Sequence, residues 1–145
     1  MTATYDRDGI RFQYPENWAI DEDPKTGFPR TISLTAADGA FWSACFYMTD
    51  QPLKELQHQY VEALEAEYED LEIDDVEFPL ADETILATDF QFYCLDFLVH
   101  SRLIVTELGR YHVLISWQAE DRDFDQLEDV FKAITFSALH AQTHS

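Results

Sequence analysis

The sequence predicts a single α+β domain, residues 1–145, in which an antiparallel β-sheet of about six to seven strands is covered by helices on both faces. Three observations lead to this fold class. First, 46% of the 145 residues are hydrophobic and 14% are aromatic, so the chain can bury one core of ordinary size. Second, short apolar segments, many alternating with polar residues, occupy most of the chain, which is typical of strands. Third, two segments show helical periodicity instead. The expected order is β-β-β-α-β-β-β-β-α.

Three strands precede the first helix. The predicted strands are Ile10–Tyr14, Thr31–Thr35 and Phe41–Met48. The segment between the first two, residues 21–27, predicts a polar loop because Pro24 and Gly27 interrupt it. A turn at Ala37-Asp38-Gly39 follows the second strand, since glycine accepts a positive φ there. We therefore expect the second and third strands to form a hairpin.

A first amphipathic helix is predicted from Leu53, with Asp50 as its N-cap and Pro52 in its first turn. At about 100° of rotation per residue, its apolar side chains form one stripe. The stripe consists of Leu53, Leu56, Tyr60, Leu64 and Leu71. Acidic residues point away from the stripe and crowd the C-terminal half of the helix, the unfavourable end for the helix dipole. A nearby basic group or bound cation would offset this placement.

The second half of the chain predicts further strands and a closing helix. The strands are Glu72–Phe78, Thr84–Ala87, Phe90–Val99, Leu103–Glu107 and Tyr111–Ala119. Phe90–Val99 and Tyr111–Ala119 carry apolar residues at both odd-numbered and even-numbered positions. Because side chains alternate across a strand, both are expected to be buried on two faces. The closing helix follows Asp121-Arg122-Asp123, and residues 141–145 are expected to fray. Its apolar face comprises Phe124, Leu127, Phe131 and Ile134.

The charge of the chain is strongly one-sided. Nine basic and twenty-nine acidic residues give a formal net charge of −20. From Glu55 to His100 there is no lysine or arginine, whereas fourteen residues are acidic. This pattern excludes a nucleic-acid footprint, which needs clustered lysine and arginine. Either the acidity serves solubility or a salt-rich environment, or it steers a basic partner or cation. In the second case Glu62, Glu65 and Glu69 are the candidate partner-binding residues.

No catalytic motif is present: the sequence lacks Gly-x-Ser-x-Gly, a glycine-rich phosphate loop, His-Glu-x-x-His and Cys-x-x-Cys. His100 and His112 on adjacent strands, with Asp96 nearby, offer one metal or acid–base candidate, although a lone strand histidine is more often structural. Three acidic clusters suggest calcium, but none continues as a twelve-residue loop ending in a bidentate glutamate. These clusters are Asp6–Gly9, Asp21–Asp23 and Glu120–Asp123. We expect no catalytic residue, no cofactor and no dedicated metal site.

The two cysteines and the chain's hydropathy bear on its compartment. Cys45 and Cys94 lie in apolar, strand-like segments. Free cysteine behaves as a small buried hydrophobe, so core packing is favoured, and a disulfide between neighbouring strands is the alternative. The N-terminus lacks a basic region followed by an apolar one, and no apolar run is long enough to span a membrane. We expect a cytoplasmic protein without a membrane span.

Two segments resemble a known superfamily. Gly9–Trp18 contains a short strand that runs into a Phe-x-Tyr-Pro-x-x-Trp turn, and Phe131–Ser137 resembles a closing helix followed by a strand stub. Together with the order of the elements, they resemble PsbP-like domains over nearly the whole chain. That superfamily includes the photosystem II extrinsic protein, a Ran-binding nuclear-import factor, bacterial lipoproteins, adaptor chaperones of secreted effectors and bacterial domains of unknown function. The resemblance implies an antiparallel sheet between helical layers and binding to other proteins, and it transfers no functional residue.

We therefore expect a non-enzymatic protein-binding module with an acidic and aromatic interaction surface. Aromatic side chains that remain exposed beside the acidic helix would form an apolar patch with a charged rim, as protein-binding surfaces do. The alternative is a small-molecule-binding or enzymatic domain with a pocket between sheet and helix. A deep pocket lined by convergent polar groups would favour that alternative, and a broad apolar patch would favour the module.

Overall fold

A computed structural model of the protein describes residues 1–22, 27–80 and 83–143, and within them the chain forms nine strands and two helices. The elements are β1 (Thr2–Arg7), β2 (Ile10–Pro15), β3 (Ala19–Glu22), β4 (Arg30–Thr35), β5 (Phe41–Tyr47), α1 (Leu53–Glu67), β6 (Glu72–Leu80), β7 (Glu83–Cys94), β8 (Phe97–Leu108), β9 (Tyr111–Glu120) and α2 (Asp121–Thr143). Seven strands form one sheet in the order β3-β4-β5-β9-β8-β7-β6, and β1 pairs with β2 in a separate hairpin. All neighbouring strands are antiparallel. The predicted α+β fold class is confirmed.

The larger core lies on the face of the sheet that α2 and the β1–β2 hairpin cover together. Trp117 of β9 stacks on Phe131 of α2 with ring centroids 5.9 Å apart, and Trp42 Nε1 donates a hydrogen bond to Thr135 Oγ1 at 3.1 Å. The hairpin contributes Phe12, which is fully buried. Burial of such large rings supplies most of the apolar stabilisation of a small domain.

The smaller core lies on the opposite face, beneath α1. Phe90, Phe92, Leu103 and Leu114 are its buried members, and Tyr60 and Leu64 of α1 pack against them only partly buried. The strand β9 joins the two cores, because Val113, Ile115 and Trp117 belong to the larger one and Leu114 to the smaller one. This confirms that the sheet is covered on both faces, as the parity of Tyr111–Ala119 predicted.

The predicted strand Phe90–Val99 is wrong, because the chain reverses within it. β7 ends at Cys94 and β8 begins at Phe97, so Leu95 and Asp96 form a tight turn. Of the apolar residues that suggested burial on a second face, Tyr93, Leu95 and Phe97 lie at or beside this turn and are exposed, whereas Val99 packs against the smaller core. A glycine or asparagine would have marked the turn, but the segment contains neither.

Several element boundaries also differ from the predictions. Pro52, and not Asp50, is the N-cap of α1, and it makes no side-chain capping bond. The helix ends at Glu67, so Leu71 lies beyond it, although Leu71 still packs on the smaller core. The predicted strand stub near Ser137 is helical and belongs to α2. Pro79 lies inside β6, where it is tolerated because β6 is the edge strand of the sheet. β1 and β3 were not predicted.

Candidate interaction surface

The predicted partner-binding glutamates all lie on the surface beside α1. Glu62 and Glu65 are exposed on the helix, and Glu69 is exposed in the turn that follows it. Together with three exposed acidic residues close to them in the sequence, they form the group that we call the acidic face. The acidic face comprises Glu62, Glu65, Glu67, Glu69, Asp70 and Glu72. One contact with a basic side chain is described within it, from His58 Nε2 to Glu62 Oε1 at 2.8 Å, so most of its negative charge faces solvent.

The hairpin that joins β7 and β8 projects beyond both neighbouring strands. Pairing with β6 ends where Glu72 meets Gln91, and pairing with β9 ends where Glu120 meets Val99. Among the described strands, the residues beyond these points pair only with one another. We call this projection the finger. The finger consists of Tyr93, Cys94, Leu95, Asp96, Phe97 and Leu98.

The finger is apolar and faces solvent. Leu95 is 89% exposed, Tyr93 65% and Phe97 53%, which places them among the most exposed large hydrophobic residues that the structure describes. Phe97 pairs with Cys94, on the side of the smaller core, whereas Tyr93 pairs with Leu98 on the other side. Apolar side chains therefore cover both sides and the tip of the finger. Groups of exposed apolar side chains of this kind are uncommon on folded domains.

The backbone at the tip is strained. Leu95 has φ of 58°, in the left-handed region where a leucine Cβ approaches the following carbonyl oxygen. The residue costs on the order of 1–2 kcal/mol there compared with glycine. Since Leu95 is also almost fully exposed, burial within the domain does not offset this cost.

The base of the finger is packed against the end of α1. Tyr68, the C-cap of α1, stacks on Phe92 with ring centroids 4.1 Å apart. Burial, followed by the charges of Glu67 and Cys94, raises the pKa of the Tyr68 hydroxyl. Tyr68 thus lies between the acidic face and the finger. The two surfaces adjoin at Tyr68, so exposed aromatic residues of the finger lie next to acidic residues.

On the opposite side of the sheet, an ion network ties the finger strands to α2. Arg102 of β8 donates from Nε to Asp89 Oδ1 at 2.6 Å and from Nη2 to Asp89 Oδ2 at 2.9 Å. Its Nη1 donates to Glu128 Oε1 of α2 at 3.1 Å. His100 Nε2 lies 3.1 Å from Asp89 Oδ2, and the imidazole stacks on Phe124 at 3.8 Å. Each strong acceptor and donor in this network is therefore engaged with another member.

The titration of Asp89 follows from this geometry. Burial alone would raise the pKa of its carboxyl, but the hydrogen bonds from Arg102 and His100 outweigh burial and hold that pKa below its usual value. For Arg102, burial acts to lower the pKa, and the bonds to Asp89 and Glu128 raise it instead. A carboxylate held in this way by a bidentate guanidinium is a weak base, which suits a structural tie better than proton transfer.

The predicted grouping of His100 with His112 and Asp96 is wrong. His100 pairs with Ala119, and His112 lies seven residues farther along β9, roughly 23 Å away at about 3.3 Å per residue. The two imidazoles also lie on opposite faces of the sheet, because His112 shares its face with Leu114 of the smaller core. The sequence could not give the register that separates them. Asp96 lies in the finger turn, and Asp89 is the carboxylate that contacts His100.

Two of the acidic clusters considered for calcium serve arginines instead. Arg30 is 8% exposed and donates to Asp8 Oδ2 at 2.8 Å, to the Tyr5 hydroxyl at 2.6 Å and to Glu22 Oε1. Arg7 binds the second oxygen of Glu22 at 2.9 Å. Burial opposes the shift, but these bonds lower the pKa of Glu22. The cluster fastens the β1–β2 hairpin to β3 and β4, and Asp23 lies outside the described residues.

The third acidic cluster considered for calcium, Glu120–Asp123, makes contacts with other side chains of the protein. Asp121 accepts a hydrogen bond from Gln91 at 3.3 Å, and Arg122 pairs with Glu120 at 3.2 Å. In the described part of the chain, no three histidine, cysteine or acidic residues are grouped to hold a metal ion.

Cys45 is half-buried and unpaired, whereas Cys94 is exposed and unpaired, so the predicted core position of Cys94 is wrong. Neither helix, over its described residues, is long and apolar enough to cross a membrane.

An open groove of about 360 Å³ runs between the β1–β2 hairpin and α2. Its walls are mainly apolar and include Tyr14, Val130 and Ile134, with Asp129 as the one charged lining residue. Ser137 Oγ accepts a hydrogen bond from the Gln13 backbone N–H at 2.8 Å and so joins the two walls. The groove lies on the surface beside the hairpin and not between the sheet and a helix, so it differs from the predicted alternative pocket.

The fold has counterparts among solved structures. Cyanobacterial PsbP (CyanoP) from Synechocystis sp. PCC 6803 matches with a TM-score of 0.62 and 10% identity over 94% of this chain and 90% of that one. Protein PA94 of unknown function from Pseudomonas aeruginosa matches with a TM-score of 0.55 and 13% identity over 94% of both chains. No family pattern and no curated protein matches the sequence. These similarities confirm the resemblance seen in Gly9–Trp18: the chain has a PsbP-like fold.

Proposed function

We propose that the protein is a non-enzymatic protein-binding module that engages a basic partner through the acidic face and the aromatic residues beside it. The observation that carries this proposal is the junction at Tyr68, where the acidic face meets exposed apolar side chains. Protein interfaces combine an apolar centre with a polar rim. The carboxylates would steer a basic partner during encounter, and the apolar residues would hold it.

The chemistry of the buried polar groups supports a non-enzymatic role. Among the described carboxylates, Asp89 and Glu22 are the two whose pKa is lowered, and both are bound to arginine. General acid–base catalysis instead favours a pKa near the working pH. The two unpaired thiols fit a reducing compartment, and we include a cytoplasmic location in the proposal.

Charge reversal on the acidic face tests this function. A binding partner is first recovered from native lysate. The triple variant Glu62→Lys, Glu65→Lys and Glu69→Lys of this protein should associate with that partner several-fold more slowly than the wild type does. Raising salt should slow the wild type as well, because the Debye length falls from about 10 Å at 0.1 M to about 3 Å at 1 M. A matched control reverses three exposed carboxylates on the hairpin and α2, and it changes net charge equally. The control residues are Asp6, Glu16 and Asp125.

Stopped-flow measurements give the association rates, and circular dichroism shows whether each variant is folded. The proposal requires that the acidic-face variant slows the on-rate far more than the control does while both remain folded. Equal on-rates for the wild type and both variants, with no dependence on salt, would assign the acidity to solubility.

The alternative is a small-molecule-binding domain, and the groove between the hairpin and α2 is the observation that favours it. Its volume of about 360 Å³ falls within the range of small-ligand sites. Ala133 lies in its wall, so Ala133→Phe should fill the groove. Ligand-induced thermal shifts that disappear in Ala133→Phe but persist in the acidic-face variant would support this alternative.

A further inference from the structure

We propose that the finger is the anchor of the binding surface and that it receives a short basic segment of a partner protein. Apolar side chains of that segment cover Leu95, Tyr93 and Phe97, while its lysine or arginine side chains contact the carboxylates at the base of the finger. This inference deepens the proposed function and rests on it. It identifies which residues hold the partner and which chemistry the partner must present.

The position of the finger makes it accessible to another chain. It extends past the last pairs of β6 and β9, so no described strand flanks it. Its base is nevertheless held firmly by the stack of Tyr68 on Phe92 and by the bidentate tie of Arg102 to Asp89. A rigidly held apolar projection loses little conformational freedom on binding, which favours affinity.

The strain at Leu95 indicates that the residue serves something other than folding. A turn with a residue at φ of 58° is satisfied at lower energy by glycine or asparagine. The other described residues with positive φ are Gly9, Gly27, Gly39 and Gly109, together with Asp8. A leucine at this position stores strain and exposes apolar surface, and both are offset when a partner covers the side chain.

The charges around the finger decide which partner it fits. Glu67 ends α1, Glu72 lies opposite Gln91 and Asp121 lies beside Gln91 on the side of α2, and Asp96 lies in the tip itself. Anionic lipid surfaces repel such a rim. A second copy of this chain would bring the same carboxylates together at a net charge of −20 each. A basic protein segment complements both the rim and the apolar tip.

A displayed library of random peptides provides the probe. The library is selected on the wild-type protein, and the most enriched peptide is synthesised. We expect enriched peptides to combine arginine or lysine with leucine, isoleucine or phenylalanine. Fluorescence polarisation should show affinity lower by about tenfold or more in Leu95→Asn, and Leu95→Gly serves as a second variant. Met48→Ser, which alters another half-exposed hydrophobic residue, should stay within about twofold.

The outcomes separate this inference from the proposed function. Enriched peptides that are basic but bind Leu95→Asn as tightly as the wild type would overturn the finger as anchor and leave the acidic module intact. Acidic or neutral peptides, or no enrichment, would overturn the inference together with the basic partner. Sedimentation with vesicles of phosphatidylcholine and phosphatidylglycerol that is lost in Leu95→Asn would assign the finger to membranes. A dimer in analytical ultracentrifugation that is lost in Leu95→Asn would assign it to self-association.

Discussion

Two hairpin turns of the same sheet are built in opposite ways. The turn between β4 and β5 has Gly39 at φ of 93°, and Asp38 Oδ1 accepts a hydrogen bond from the Ala40 N–H at 3.1 Å. The finger turn places Leu95 at a positive φ with its side chain in solvent. The residues of the first turn favour the backbone conformation that the turn requires, whereas the leucine of the second turn disfavours it. Local energy explains the first turn, whereas the second is the turn for which we propose a partner outside the folded chain.

The tie beneath the finger should give the largest effect on stability. Asp89→Asn leaves the guanidinium of Arg102 without its bidentate partner, and we expect a loss of about 2–4 kcal/mol in the free energy of unfolding. Asp125→Asn, at an exposed position on α2, should change it by less than about 0.5 kcal/mol. Urea denaturation measures both. Equal midpoints for the two variants would show that the finger strands do not depend on this tie.

The contribution of Asp89 should also depend on pH. Its pKa is lowered in the folded state, so its stabilising effect is fully present above the unfolded pKa of about 3.9 and is lost as pH falls through the lower folded value. The stability difference between the wild type and Asp89→Asn should therefore be constant from about pH 5 to 7 and shrink below about pH 4. Both proteins carry His100→Gln in this comparison, because the His100 imidazole contacts the same carboxylate; Arg102 and Glu128 are then common to both. A difference that grew on acidification would contradict the assigned direction.

Gly39→Leu should introduce into the β4–β5 turn the same kind of strain that Leu95 has in the finger, namely a leucine at positive φ. A leucine at φ of 93° is expected to cost about 1–2 kcal/mol, although nothing lies within 4 Å of the added Cβ. Chemical denaturation should show this loss with an unchanged m-value. An unaltered midpoint would show that the β4–β5 turn adjusts easily, and the contrast between the two turns would lose its energetic basis.

Much of the fold followed from the sequence, and the contrast between the turns shows where it did not. The β4–β5 turn was predicted because Asp38 and Gly39 carry the residue preferences of a turn. Burial of β9 on both faces was predicted from Val113 and Leu114 at opposite parities. The finger turn was missed because Leu95 reads as one more apolar residue of a long strand. Local propensity cannot locate a turn that local propensity disfavours.

The candidate surface was only partly predictable for the same reason. Exposure of Glu62, Glu65 and Glu69 beside α1 followed from helical periodicity and from the lack of basic residues. Their junction with the finger depends on where Tyr68 meets Phe92, and this contact joins elements that are distant in sequence. The separation of His100 from His112 depends on strand register, which two apolar strands of similar pattern do not specify. Contacts that depend on strand register and tertiary packing could not be predicted from the pattern of residues alone.

The equilibrium stability of Leu95→Asn tests the central claim most directly. The claim is that Leu95 is held in an unfavourable conformation and contributes nothing to folding. Asparagine tolerates the left-handed region, so the variant should be more stable than the wild type by about 0.5–1 kcal/mol, or about 2–4 °C in Tm. Calorimetry and urea denaturation of the two purified proteins would measure the change. A loss of stability would show that Leu95 packs within the domain and would contradict the finger as an exposed binding element.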